Sequence, residues 1–126
     1  MKALVLDLEE DILDLLDYNL HKVGFEVLGL AEEEDVLTLA SAFQPHVILI
    51  GNCSSVEQQR LLCEQLRKLD DLRQLAPLII CLTTDQHFCD QGGNCDVGAD
   101  LCIVTPIKPR ELVAEILQLM PMNRVA

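Results

Sequence analysis

Two kinds of side chain in this sequence could carry chemistry: carboxylates at the ends of apolar runs, and cysteines. Asp7 closes the run that starts at Lys2. A carboxylate there could bind a metal ion or cap the loop that follows, and the local sequence favours capping. The six cysteines could form disulfides, react as thiolates or bind a soft metal.

The cysteine spacings match no metal signature. No pair has the Cys-x-x-Cys spacing of a structural zinc site, and His87 with Cys89 and Cys95 fits no such pattern either. Cys63, in a predicted helix, and Cys81, in a predicted strand, are expected to be small buried apolar residues. A redox or metal role stays open for the other four cysteines: Cys53, Cys89, Cys95 and Cys102.

Five apolar runs, each typical of a buried strand, alternate with helical patterns along the chain. They span residues 2–8, 25–30, 45–50, 78–82 and 101–104. Parallel strands need crossover helices and are covered on both faces. The pattern therefore predicts a single α/β domain with a doubly wound parallel sheet.

Helix signals fill the gaps between the runs. Apolar residues recur at helical spacing over 10–23, before a glycine that is typical of a helix end. Four acids at 32–35 favour the start of a second helix, and Ser54 or Ser55 could cap a third. A last helix is predicted over 110–120.

Several stretches of the chain resemble the receiver domain of two-component response regulators. They are Leu-Val-Leu-Asp-Leu-Glu-Glu-Asp-Ile, Asp-Tyr-Asn-Leu-His-Lys-Val-Gly-Phe-Glu-Val, Leu-Cys-Glu-Gln-Leu-Arg, and Gly98-Ala99-Asp100. The stretch from Pro109 to Val113 is most similar to receivers of OmpR/PhoB-type transcription factors. The resemblance implies a five-stranded, flavodoxin-like sheet with strand order 2-1-3-4-5, a receiver domain over 1–120, and a tail or linker start over 121–126.

In that family, two acids after strand one bind magnesium and an aspartate ending strand three accepts the phosphoryl group. A hydroxyl residue and a lysine end strands four and five. The resemblance places Asp7 and Leu8 at the two acid positions and Gly51 at the phosphoacceptor position. Thr83 keeps the hydroxyl, whereas Thr105 replaces the lysine. Glycine has no oxygen to attack phosphorus, and one carboxylate makes a poor magnesium site, so these departures imply a degenerate pseudo-receiver without cofactor or enzymatic activity.

The resemblance also implies a switch position and an interaction face. Cys102 stands where receivers usually carry a switching aromatic residue. Asp100, Arg110 and Glu111 keep charged positions of the OmpR-like dimer face, but Glu115 replaces a usual arginine. We therefore expect a protein partner or a weak homodimer at the surface formed by the helix before strand five, strand five and the last helix.

The segment 86–96 contains two adjacent glycines and an asparagine, which lower its helix propensity. We expect an irregular fourth helix here, either through drift or because the segment forms a new binding surface, and we expect Cys102 to lie close to it. If the thiols matter, oxidation would link Cys102 to Cys89 or Cys95.

Composition limits the remaining function classes. Twenty-one acidic against nine basic residues give a net charge of -12, which argues against direct contact with nucleic acid. No membrane span or signal peptide is evident, so the expected location is the cytoplasm. Two classes remain: a phosphorylation-independent signalling module, for example the regulatory domain of a transcription factor, or a redox or small-molecule sensor that uses the cysteines or the emptied phosphorylation pocket.

Overall fold

The computed structural model describes residues 1–83, 99–104 and 108–120. The strands are β1 (Lys2–Leu6), β2 (Glu26–Leu30), β3 (Val47–Ile50), β4 (Leu78–Thr83) and β5 (Leu101–Val104). They form one sheet of parallel pairs in the order β2-β1-β3-β4-β5. The doubly wound sheet and the strand order implied by the resemblance are thus confirmed.

The helices in the described ranges are α1 (Glu10–Lys22), α2 (Val36–Phe43), α3 (Val56–Lys68), α4 (Asp70–Arg73) and α5 (Pro109–Leu119). Gly24 follows α1 with a φ of 100°, a conformation that glycine adopts without steric cost. Ser55 caps α3, because its Oγ accepts the backbone N–H of Gln58 at 3.0 Å. Pro109 begins α5, where a missing N–H costs no helical hydrogen bond.

Some local predictions differ from the structure. The acids at 32–35 lie ahead of α2 rather than inside it, since α2 begins at Val36. Negative charge just before a helix still complements its dipole. The short helix α4 was not predicted, because four residues carry too little periodicity to be recognised. The irregular helix predicted at 86–96 lies outside the described residues, as does the tail at 121–126.

Two cores pack on opposite faces of the sheet. The face covered by α1 and α5 is built mainly from aliphatic side chains, with Leu16 and Ile116 among them. The face covered by α2, α3 and α4 combines aliphatic side chains with three cysteines: Cys63, Cys81 and Cys102. Cys63 and Cys81 are fully buried, as predicted. In the described part of the chain, no helix combines the length and apolar character needed to cross a membrane.

The parallel register brings the carboxyl ends of β1, β3 and β4 together, and we call this end of the sheet the carboxyl edge. Asp7 follows β1, Gly51 follows β3, and Thr83 is the last residue of β4. Ligand sites of open α/β sheets form at this edge, where loops leave in opposite directions. The candidate site therefore lies at the carboxyl edge.

Candidate functional site at the carboxyl edge

Asp7 is buried at this edge and binds its own chain. Its Oδ1 accepts the backbone N–H of Glu9 at 2.8 Å. The Nδ2 of Asn52 donates to Oδ1 at 3.2 Å and lies 3.3 Å from Oδ2. This is the loop-capping geometry that the sequence favours. Among the described residues, no three His, Cys, Asp or Glu side chains gather in a way that could hold a metal ion.

Gly51 is buried directly against Asp7. A Cβ added to Gly51 would lie 3.0 Å from Asp7 Cγ and 3.1 Å from the backbone oxygen of Leu6, and it would come still closer to Asp7 Oδ2. The Leu6 oxygen belongs to β1, and the Asp7 carboxylate is held by the hydrogen bonds just described, so neither can yield easily. Asp7 therefore fills the space that a side chain at position 51 would need.

Gln59 is a buried polar residue at this site that was not predicted from the sequence. From α3 its Nε2 donates to the backbone oxygens of Ile50, Gly51 and Leu82 at 3.1, 3.1 and 3.0 Å. One amide group thus ties the ends of β3 and β4 together. The sequence did contain a signal that Gln59 is buried, because it lies four residues before Cys63 on the apolar face of an amphipathic helix.

A cleft of about 230 Å³ opens at this edge, and it is lined by Gly51, Asn52, Cys53, Ser55, Gln59, Leu82 and Thr83. None of these described lining residues carries a positive charge. Leu8, at the second acid position, is 38% exposed, and its backbone N–H donates to the Asn52 oxygen at 3.0 Å. Thr105, at the lysine position, lies outside the described residues.

Cys53 is half-buried in the wall of the cleft. Burial raises the pKa of its thiol to about 12, and the charge and hydrogen bond of Glu33 act in the same direction. The Glu33 carboxylate is held in place because Ser54 donates to its Oε2 from the backbone N–H at 3.0 Å and from Oγ at 3.3 Å. A thiol that stays protonated at neutral pH is a weak nucleophile and a weak metal ligand.

The other described cysteines lie below the cleft, in the core between α3 and the sheet. The Sγ atoms of Cys63 and Cys81 are 3.1 Å apart, and Cys81 and Cys102 are register partners on β4 and β5. Cys53, Cys63 and Cys81 are not disulfide-bonded, whereas Cys102 is. The partner of Cys102 lies outside the described residues, as do His87, Cys89 and Cys95.

The predicted interaction face is divided between the two ends of β5. Asp100, just before β5, accepts the N–H of Ile79 at 2.8 Å and pairs with Arg67 Nη2 at 2.6 Å. Arg110, Glu111 and Glu115 are exposed on α5, which follows β5. Asp100 therefore binds its own chain, and the three α5 charges remain accessible on the monomer.

No protein-family model matches the chain. It is 29% identical over 125 residues to the alkaline phosphatase synthesis transcriptional regulatory protein PhoP of Bacillus subtilis, a match that covers 99% of this chain and 50% of that protein. It is 31% identical over 119 residues to the probable transcriptional regulator ycf27 of Cyanophora paradoxa, covering 94% of this chain and 48% of that protein. A solution structure of a response regulator protein from Burkholderia multivorans matches with a TM-score of 0.68 and 26% identity, covering 94% of this chain and 93% of that one. The chain belongs to the response regulator receiver family. This receiver domain spans about half the length of the curated relatives it matches.

In this receiver domain, Asp7, Gly51 and Thr83 meet at the carboxyl edge, where the resemblance placed them. The groups at the carboxyl edge differ from those that phosphorylation requires. The space is taken by the Asp7 carboxylate, which accepts hydrogen bonds from its own chain, by Gly51 and by the buried amide of Gln59. Ser55 and Thr83 bring hydroxyl groups to the cleft.

Proposed function

We propose that this receiver domain signals without phosphorylation, as a pseudo-receiver that binds a protein partner or a second copy of itself. The observation that carries the proposal is the contact between Gly51 and Asp7. Position 51 lacks a nucleophile, and the Asp7 carboxylate already fills the space in which a nucleophilic side chain would stand.

Electrostatics support the same conclusion. Phosphoryl transfer needs cations that neutralise the charge on the equatorial oxygens, and magnesium needs several hard oxygen ligands. The described residues lining the cleft carry no positive charge, and Asp7 is the single carboxylate left from the acid pair. A phosphoryl group would add negative charge beside a buried carboxylate, without a compensating lysine at position 105.

The curated relatives are named as transcriptional regulators about twice the length of this domain. We accordingly place this domain in the regulatory part of a cytoplasmic transcription regulator and assign it no enzymatic activity. Because this domain carries a strong negative charge, we expect another part of such a protein to make any contact with DNA.

The first test is treatment with acetyl phosphate, or with beryllium fluoride, in the presence of magnesium. We expect the amide NMR spectrum to stay unchanged, while a receiver domain that carries the aspartate and lysine shifts under the same conditions. Saturable shifts centred on Gly51 and Thr83 would contradict the proposal.

The second test concerns self-association through α5 and β5. Because Asp100 pairs with Arg67 in the monomer and Glu115 replaces the family's arginine, the ion pairs of the OmpR-like dimer are incomplete. We expect light scattering to show a weak dimer at most, with little change between low and high salt. A tight dimer that dissociates in high salt would show that charge pairs hold it after all.

A redox sensor is the second candidate function, and the disulfide at Cys102 favours it. The protonated thiol of Cys53 argues against a redox role for that residue. A small-molecule sensor is less well supported, because the cleft of about 230 Å³ is smaller than most ligand pockets. If Cys102 senses redox state, a reductant should shift the amide resonances of β4 and β5 reversibly; an unchanged spectrum would reject this candidate.

A further inference from the structure

Cys63 and Cys81 lie opposite each other across the interface between α3 and β4. Both are fully buried, and their Sγ atoms are 3.1 Å apart. A disulfide needs about 2.05 Å between the sulfurs, so the two atoms would have to approach by roughly 1 Å. That movement is within reach of side-chain rotation and a small shift of the helix.

The surroundings of the pair favour exchange chemistry. The hydrogen bond with Cys81 lowers the pKa of Cys63 against the effect of burial, and the positive charge of Arg67, one helical turn further on, acts in the same direction. Cys81 is the register partner of Cys102 on the neighbouring strand, and neighbouring strands lie about 4.8 Å apart. Cys102 is itself disulfide-bonded. A disulfide therefore adjoins two buried thiols in one core.

We propose that Cys63 and Cys81 form a redox pair that closes into a disulfide by exchange with a second disulfide, either that of Cys102 or a diffusible one. This inference does not rest on the absence of phosphorylation, which concerns other residues.

The exchange takes two steps, and it balances without another oxidant. The Cys81 thiolate attacks one sulfur of the existing disulfide, and the other sulfur leaves as a thiolate that takes up the proton lost by Cys81. The Cys63 thiolate then attacks Cys81 Sγ. The mixed disulfide breaks, and the departing sulfur takes up the proton lost by Cys63. One disulfide bond is lost and one is formed.

Closing the pair would act on the carboxyl edge. Gln59 lies one turn before Cys63 on α3, and Leu82, whose backbone oxygen accepts a hydrogen bond from Gln59, directly follows Cys81. A bond between Cys63 and Cys81 therefore fixes the helix turn that holds the ends of β3 and β4 together. The oxidation state of the pair would set the geometry of the cleft around Gly51.

The test maps disulfides in the folded chain of 126 residues. The reduced protein is treated with oxidised glutathione, the remaining thiols are blocked in denaturant so that buried ones react too, and the protein is digested with trypsin. The tryptic peptide 61–67 contains Cys63 as its one cysteine, and the peptide 74–110 contains Cys81. We expect these peptides to be joined, a bond that removes one hydrogen atom from each of the two thiols. Cys81→Ala should abolish the joined species, and Cys53→Ser is the matched control that should keep it.

A second arm identifies the source of the oxidising disulfide. Protein that carries the Cys102 disulfide and reduced Cys63 is transferred to oxidant-free buffer. Joining of the peptides there in the wild type, but not in Cys102→Ser, would assign the source to Cys102. Joining in both proteins only after oxidised glutathione is added would assign it to a diffusible disulfide. If Cys63 is recovered fully alkylated after denaturation under every condition, while circular dichroism before denaturation shows a folded chain, the proposal is overturned. The disulfide map of the wild-type protein tests the proposal even if a variant fails to fold.

Discussion

The two ends of the sheet are built from different interactions. At the carboxyl edge, Asp7 and Gln59 bind mainly amide groups of their own chain, and the described residues lining the cleft carry no cation. At the amino edge, where the strands begin, charged side chains make the contacts. Arg67 pairs with Asp100 at 2.6 Å, and Lys2 Nζ donates to the Phe43 oxygen at 3.2 Å and lies 5.2 Å from the centre of its ring.

The ion pair of Arg67 and the contacts of Lys2 thus lie at the amino edge and not around the cleft at the carboxyl edge. Receiver chemistry requires charges at the carboxyl edge, to hold magnesium and to neutralise a phosphoryl group. Here hydrogen bonds that hold the loops in place occupy that edge, while ion pairing stabilises the opposite edge. The carboxyl edge is thus held together by the hydrogen bonds of Asp7 and Gln59 and by the close approach that Gly51 permits.

Restoring an aspartate at position 51 should have the largest effect. In Gly51→Asp the new Cβ would overlap Asp7, and two carboxylates would share one buried site. We expect a loss of at least about 1–3 kcal/mol in unfolding free energy, the usual cost of overpacking, and no gain of phosphorylation. Urea unfolding measures the first result, and incubation with acetyl phosphate measures the second.

A double-mutant cycle separates this clash from a general intolerance of aspartate. Adding Asp7→Ala should recover part of the loss, with a coupling of about 0.5–3 kcal/mol. Gly29→Asp is the matched control, because an added Cβ there meets only the flexible end of Leu13, at 3.1 Å. Equal losses at positions 51 and 29, with no coupling to Asp7, would show that Asp7 does not occupy the space in solution.

Removing the buried amide should have an intermediate effect. Gln59→Leu keeps the side-chain volume close to that of glutamine but deprives the backbone oxygens of Ile50, Gly51 and Leu82 of their shared donor. We expect a loss of about 1–3 kcal/mol and faster hydrogen exchange at the ends of β3 and β4. Gln65→Leu, on the exposed side of the same helix, should change stability little. If both variants behave alike, Gln59 does not tie the strands together.

The strands and the larger helices follow from patterns that single residues set locally, whereas the strand order follows from the resemblance to receivers. Apolar runs, a glycine after α1 and a proline at the start of α5 act within a few residues, so the sequence displays them. The place of Asp7, Gly51 and Thr83 at one edge follows from the resemblance. What could not be predicted depends on packing between distant segments. The turn of Asp7 into the space above Gly51, the reach of Gln59 across two strands and the contact between Cys63 and Cys81 require coordinates.

The smallest expected effect concerns pH at the amino edge. His46 Nδ1 accepts the backbone N–H of Lys2 at 3.0 Å, which requires a neutral imidazole. Partial burial lowers the pKa of His46 from 6.5, and the positive charges of the amino terminus and Lys2 lower it further. The unfolded chain therefore takes up a proton near pH 6.5 while the folded chain does not. The contribution to stability is present above that pH and is lost as the pH falls through the lower pKa of the folded state.

We expect this loss to be about 0.5–1 kcal/mol, because the group is partly exposed and a single hydrogen bond is involved. His46→Asn keeps an acceptor but does not titrate, so the decline in unfolding free energy below pH 6.5 should become shallower in this variant. His21→Asn is the control, since His21 is exposed at the end of α1 and makes no comparable contact in the described structure. If the pH profile depends on His21 instead, or if His46→Asn leaves it unchanged, the hydrogen bond between Lys2 and His46 does not contribute to stability in this way. The thiol of Cys53 at the carboxyl edge, with a pKa of about 12, stays protonated in this range and adds nothing to the profile.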